Sequence, residues 1–181
     1  ALGVLQMEYL IVAGILLMVV APIIAVLPSP NQKRKMVLRR AAMNLGITVE
    51  ITKIDDPHPF QEKYLTNLGK RLPPVLEVVA YRVHRPRRME WNGDRRRNWL
   101  IERRADNEKG ELPGTWCWGS EDTPELSPKL LTFIISNLES LPEDVVRVEE
   151  CSRFISVYWH ECGDKKALQT IHYFLEGCGK L

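Results

Sequence analysis

Apolar residues run without interruption from Tyr9 to Leu27, and beyond that point they break into short periodic groups separated by polar and proline-rich stretches. The run, YLIVAGILLMVVAPIIAVL, has no charged side chain and no polar group other than the Tyr9 phenol. A helix rises 1.5 Å per residue, so about 20 apolar residues cross a hydrocarbon core ~30 Å thick. A core helix of a soluble domain would be shorter or would carry a polar stripe. The run therefore predicts a transmembrane helix over 9–27, preceded by an extension over 1–8 in which Ala1 to Gln6 stand upstream of a start at Met7. Pro28-Ser29-Pro30 ends that helix, since each proline removes a backbone donor and turns its predecessor out of the helical region. From Asn31 to Leu45 the apolar residues Val37, Leu38, Ala41 and Leu45 recur at helical spacing, and Gly46 stands where a left-handed cap is expected. The segment 28–46 is thus expected to be a basic juxtamembrane helix, packed on the C-terminal domain or lying on lipid.

Residues 47–181 show the alternation and punctuation of a mixed domain. Ile47, Val49, Ile51 and Ile54 predict a half-buried strand ended by Asp55-Asp56-Pro57. A short helix near Gln61–Leu68 comes next, then strands over Val75–Val83 and Asn98–Arg104, with Asn92-Gly93-Asp94 as a turn signal between them. These two strands suggest a hairpin with a long basic tip. Ser127-Pro128 predicts a capped helix with Leu130, Leu131, Ile134, Ile135 and Leu138 on its apolar face. Val145–Val148 and Phe154–Trp159 read as strands around a turn near Cys151-Ser152. Asp164 caps a last helix facing the core with Ala167, Leu168, Ile171, Phe174 and Leu175, closed by Gly177. Hairpin connections favour an antiparallel sheet, so the expected fold class is α+β: one transmembrane helix, then a domain with a mainly antiparallel sheet and helices on one face.

Charge adds location. Lys and Arg total 25 against 23 Asp and Glu, so no global field marks a nucleic-acid protein. Lys33, Arg34, Lys35, Arg39 and Arg40 all follow the apolar run and no base precedes it, which predicts an outside N-terminus and a cytoplasmic domain. Reduced thiols at Cys117, Cys151, Cys162 and Cys178 follow from that compartment.

Local chemistry narrows the classes. Arg85, Arg87, Arg88, Arg95, Arg96 and Arg97 crowd the expected hairpin, flanked by Arg82, Arg103 and Arg104. With Lys33, Arg34, Lys35, Arg39 and Arg40 they are candidates for an anionic surface, because guanidinium groups pair bidentately with phosphates and carboxylates. Three readings stand: pairing with the chain's own acidic stretches 106–125 and 139–150, contact with anionic lipid headgroups or a partner protein, and nucleic acid, the least favoured. Gly14, Ala21, Pro22 and Ala25 are candidates for contact with another membrane helix, since small side chains allow close approach and the proline kink leaves a carbonyl to be satisfied. No nucleophile elbow, zinc-protease helix, phosphate loop or dinucleotide fingerprint is present, and no paired cysteine spacing supports a metal. No catalytic residue, metal or cofactor is expected.

The order of membrane helix, proline, Gln32-Lys33-Arg34-Lys35, Leu45-Gly46 and Val49 resembles the YajC family, the single-span accessory subunit of the bacterial preprotein translocase. The resemblance ends near Ile51, and the family's Gly-Asp and paired-glycine stretch is absent. It implies a bacterial inner membrane and an integral membrane protein complex as partner. The expected function is a non-enzymatic accessory or assembly subunit of such a complex. The alternative is a membrane-tethered module that binds anionic lipid or nucleic acid through its arginines.

Overall fold

The computed structural model describes residues 9, 12–21, 29–85, 98–104, 112–119 and 126–181. Among these residues it has an α+β fold with a six-stranded antiparallel sheet and four helices. Residues 12–21 are helical (α1). They are followed by α2 (Pro30–Asn44), β1 (Thr48–Asp55), a 3-10 turn at Glu62–Tyr64, β2 (Val75–His84), β3 (Trp99–Arg103) and β4 (Trp116–Trp118). The chain closes with α3 (Pro128–Leu138), β5 (Val145–Cys151), β6 (Phe154–Trp159) and α4 (Lys165–Lys180). Residues 1–37 and 38–181 form separate compact units.

In the first unit, α1 exposes Val12, Ile15, Leu16, Leu17, Met18, Val19 and Val20. Among the described residues no helix is long and apolar enough to cross a membrane. The span expected over Tyr9–Leu27 is described only at Tyr9 and 12–21, all helical; its other residues lie outside the described ones. Helix α2 opens on a capping box. Ser29 N–H donates to Gln32 Oε1 at 2.8 Å, and Gln32 N–H donates to Ser29 Oγ at 3.3 Å.

In the second unit the strand order is β1-β2-β6-β5-β3-β4. The expected hairpin between β2 and β3 is therefore corrected: β6 and β5 stand between them. The pairs Val79↔Trp159 and Tyr81↔Val157 join β2 to β6, whereas Ile101↔Val148 joins β3 to β5. The connection from β2 to β3 is too long to act as a tight turn. The tight hairpin is instead β5–β6, turning on Ser152 and Arg153 with φ of 50° and 72°, the left-handed pair that a two-residue loop needs.

Side-chain alternation divides the sheet into two faces. Val79, Tyr81, Trp99, Ile101, Trp116, Val148, Ile155, Val157 and Trp159 join Leu38 and Ala42 of α2, Leu130, Ile134 and Leu138 of α3, and Leu168, Ile171, Phe174 and Leu175 of α4 in one core. Ile54, Val78, Ala80 and Tyr158 form a smaller cluster that contains no helix residue. Helices thus cover one face, as the hydrophobic pattern requires. Both expected helix starts hold, with Ser127 Oγ accepting from Leu130 N–H and Asp164 Oδ1 from Lys166 and Ala167 N–H.

Several local expectations change. Of the stripe expected for the basic helix, Leu38 is buried and Ala41 packs against the core, but Val37 is 56% exposed and Leu45, just past the end of α2, 43%, while Ala42 is buried in addition. Gly46 does take the left-handed cap, at φ 77°. Ile51 is 69% exposed because β1 is an edge strand, and Ile54 joins the opposite face from Val49. The helix expected near Gln61–Leu68 is only the 3-10 turn, and Trp116–Trp118 is an edge strand that pattern alone did not show.

Gly177 does not end α4, which continues to Lys180. It lies under the Phe133 ring of α3, where a β-carbon would stand 2.1 Å from Phe133 Cζ. A glycine inside a helix costs about 1 kcal/mol relative to alanine, and here it permits the close approach of α3 and α4. Gly177→Ala should accordingly lower stability by about 1–3 kcal/mol despite its better helix propensity. Urea unfolding checks this, and Phe133→Leu in the same chain should recover part of the loss.

Candidate functional site

Short strands bring buried carboxylates of this domain against cations, and these places carry its polar chemistry. Glu161 has no exposed surface. It sits in the corner between β6 and α4 with φ 58°, a left-handed conformation that a non-glycine residue holds only when its surroundings enforce it. Arg39 of α2 reaches it with two bonds, Nε to Oε1 at 2.8 Å and an Nη to Oε2 at 2.5 Å, and the Tyr81 hydroxyl of β2 donates to Oε1 at 3.1 Å. The hydrogen bond to Glu161 raises the Arg39 pKa above its ordinary value, against the opposing effect of burial. Burial, with the neighbouring carboxylate, raises that of Tyr81, so the phenol stays a donor.

A second pairing lies at the end of β2. Arg85 donates to Glu150 Oε1 at 2.9 Å, and the Trp99 indole N–H donates to Oε2 at 2.8 Å. Glu150 faces the helix side of the sheet and is 4% exposed.

The sheet face without helices carries a cavity of about 800 Å³. Residues 55–61, which end β1 and begin the connection to β2, line it together with Leu100, Glu102, Arg104, Gly119 and Arg147. Glu102 and Arg147 are register partners on β3 and β5. Glu102 Oε1 accepts from Arg147 at 2.5 Å and Oε2 from Arg104 at 2.9 Å. Arg147 also donates to the Asp55 carbonyl at 3.2 Å. Gly119 donates its N–H to the Leu100 carbonyl at 2.8 Å, and a β-carbon there would stand 2.5 Å from Leu100 Cδ2, so a larger residue would require the Leu100 side chain to move.

Asp56 closes the lower edge of this region. Its Oδ1 accepts from His58 N–H at 2.8 Å, its Oδ2 from the Tyr64 hydroxyl at 2.6 Å, and Lys63 Nζ lies 2.8 Å from Oδ2. Burial would raise the Asp56 pKa, but bonds from Lys63, Tyr64 and the His58 amide outweigh it and hold the group below the usual carboxylate range. Chemically, the cavity is a mixed polar and apolar recess. Arg104, whose side chain is 44% exposed, is the cation there best placed to meet a ligand carboxylate or phosphate.

The structure distributes the sequence-predicted residues unevenly. Arg39 and Arg85 are drawn into the fold by Glu161 and Glu150. Lys33, Arg34 and Arg40 are exposed on α2, with Lys35 half-buried. Gly14 and Ala21 lie in α1 and are exposed. Pro22, Ala25, Arg87, Arg88, Arg95, Arg96 and Arg97 lie outside the described residues. The recess itself was not foreseen, because Glu102 and Arg147 meet only through the β3–β5 pairing. An acid amid the apolar residues of β3 was the one available signal.

No family model matches the chain, and neither a curated protein nor a solved structure matches it.

Arg39→Met should destabilise the fold by about 3–5 kcal/mol, because it leaves the buried Glu161 charge without its guanidinium. Arg40→Met, on the exposed neighbour, should change stability by less than about 0.5 kcal/mol. Paired thermal or urea unfolding checks the contrast. Asp56 has a depressed pKa in the folded state, so its contribution is present above the ordinary carboxylate pKa and is lost as pH falls through the folded value. Asp56→Asn should lose about 1–3 kcal/mol at pH 7, with the difference from the parent shrinking on acidification. Unfolding curves across an acid series read that convergence.

Proposed function

We propose that this chain is a single-span membrane-anchored protein whose α+β domain serves as an accessory or assembly subunit of a larger integral membrane complex. The observation that supports this most directly is the surface of α1. Its large apolar side chains, from Val12 to Val20, are exposed, and 12–21 contain no acid or base. A helix apolar on all sides needs lipid or protein around it. In this reading the span runs from Tyr9 to Leu27, and Lys33, Arg34, Lys35, Arg39 and Arg40 keep the following domain on the cytoplasmic side, with the N-terminus outside. Gly14, Ala21, Pro22 and Ala25 meet a partner helix, where small side chains let backbones approach. The likeness of the opening to the YajC family makes the preprotein translocase of a bacterial inner membrane the first complex to examine. The recess beside Glu102, Arg104 and Arg147 is the domain's own place for a partner segment.

A second reading is a membrane-tethered module that binds anionic lipid headgroups. The exposed bases Lys33, Arg34 and Arg40 of α2 favour it, together with Arg87, Arg88, Arg95, Arg96 and Arg97. Each base near an anionic surface contributes about 1 kcal/mol.

The full chain should stay in the membrane pellet after an alkaline carbonate wash, and affinity purification from native membranes should recover a fixed set of integral membrane proteins. Replacing 9–27 with an unrelated span of equal length should remove members of that set. Release by carbonate would refute the anchor, and an unchanged set would move recognition to the domain.

A further inference from the structure

The connection between β1 and β2 is folded tightly on itself and yet turns its apolar side chains outward. The bonds of Tyr64 and Lys63 to Asp56 close its base. Beyond them Leu65 and Arg71 form an antiparallel bridge, and Leu72 N–H donates to the Tyr64 carbonyl at 2.8 Å. Thr66 closes the tip: its N–H and hydroxyl donate to the Lys70 carbonyl at 2.9 and 3.0 Å, and its Oγ1 accepts from Lys70 N–H at 3.0 Å. Gly69, at φ 75°, supplies the left-handed residue that the turn requires.

A loop held in this way presents its side chains in fixed directions. Leu68 is 96% exposed, Phe60 78%, Leu65 48% and Leu72 45%. A single exposed leucine is ordinary, but this loop exposes four large apolar side chains. Bases accompany them. Lys70 and Arg71 follow the tip directly, and the Arg71 guanidinium lies 5.2 Å over the Phe60 ring. Lys63 is matched by Asp56, which leaves Glu62 as the acid of the loop against Lys70 and Arg71. Apolar tips bordered by cations suit a bilayer with anionic headgroups, where the tips enter the acyl boundary and the bases stay at headgroup level.

We infer that this loop is a second membrane contact, with Phe60 and Leu68 entering the interface of an anionic bilayer and Lys70 and Arg71 resting on its headgroups. The inference rests on the anchored reading above for the presence of a bilayer beside the domain. Because the loop is already ordered by its own hydrogen bonds, it binds without a folding step, and contact leaves the sheet unchanged.

The test uses the full chain carrying Leu68→Trp, reconstituted into phosphatidylcholine vesicles with brominated acyl chains, with and without phosphatidylglycerol. The parent chain corrects for the native tryptophans. The added indole should be quenched, and more strongly with phosphatidylglycerol, while Lys70→Ser with Arg71→Ser should remove that difference. An unquenched indole in a chain that resists carbonate extraction would place the loop in water or against a protein, which overturns the inference while the anchor stands. A chain released by carbonate would refute the anchor instead. The loop is then read by co-sedimentation of that same chain with the anionic vesicles. Phe60→Ser with Leu68→Ser should weaken it at least about tenfold, and unchanged binding overturns the inference.

Discussion

The Glu161 carboxylate, wholly removed from water, is the constraint on which the domain's closure depends. An ionised carboxylate in that position is strongly disfavoured unless a cation and further donors meet it. Arg39 and Tyr81 do so from elements far apart in the chain, so α2, β2 and the corner leading to α4 must be in place together. The same corner is tied to the loop before β5, where His160 N–H donates to the Asp144 carbonyl and Cys162 N–H to the Asp144 carboxylate. The left-handed backbone at Glu161 is consistent with this crowding of obligations: the turn is shaped by where the carboxylate must point. Trp159, two residues earlier at the end of β6, packs edge-on against the Tyr81 ring with centroids 5.1 Å apart, which fixes the phenol's direction.

The two faces of the sheet solve different problems. One excludes water by helix packing, with Glu150 and Glu161 admitted only as paired charges. The other combines the small cluster of Ile54, Val78, Ala80 and Tyr158 with polar pairs: Arg82 pairs with Glu50, Tyr158 donates to Glu149 at 2.5 Å, and Glu102 is held between Arg104 and Arg147. The exposed pair of Arg82 with Glu50 contributes little because solvent screens it, whereas Glu102 and Arg147 are largely buried. The effect of these pairs is on register, since a slip of one residue would exchange every charged and apolar position. That sheet register is what brings the recess together.

Pattern along the chain carried much of this fold and little of the candidate site. The caps at Ser127 and Asp164, the periodic faces of α3 and α4, and the antiparallel class follow from side-chain chemistry within a few residues. Strand order does not, because Val83 and Trp99 are near neighbours in sequence, yet each pairs with the β5–β6 hairpin. Gly177 has the appearance of a helix end, and only the Phe133 ring above it explains why it is interior. Arg39 and Arg85 look like solvent-facing bases until their buried acids are located, and nothing near Glu150 or Glu161 in the chain names those partners. For the recess, Leu100 and Glu102 alternate toward the polar face as any strand residues do, and the distant Asp55–Gln61 segment completes the wall only once β1 is placed.

The strand order has a consequence for biosynthesis. The central strands of the sheet, β6 and β5, leave the ribosome after the other four, while β1–β2 and β3–β4 emerge earlier as pairs that share no edge. Until the C-terminal hairpin is inserted, β2 and β3 each present an unpaired edge, and the apolar side chains destined for the core have no second layer. A nascent chain stalled before Val145 is therefore not a smaller version of the domain but two half-sheets with open seams, a state that holdase chaperones and proteases recognise. Because β5 and β6 stand between the two earlier pairs, removing Val145–Trp159 would disconnect the sheet at its centre rather than fray it at the margin.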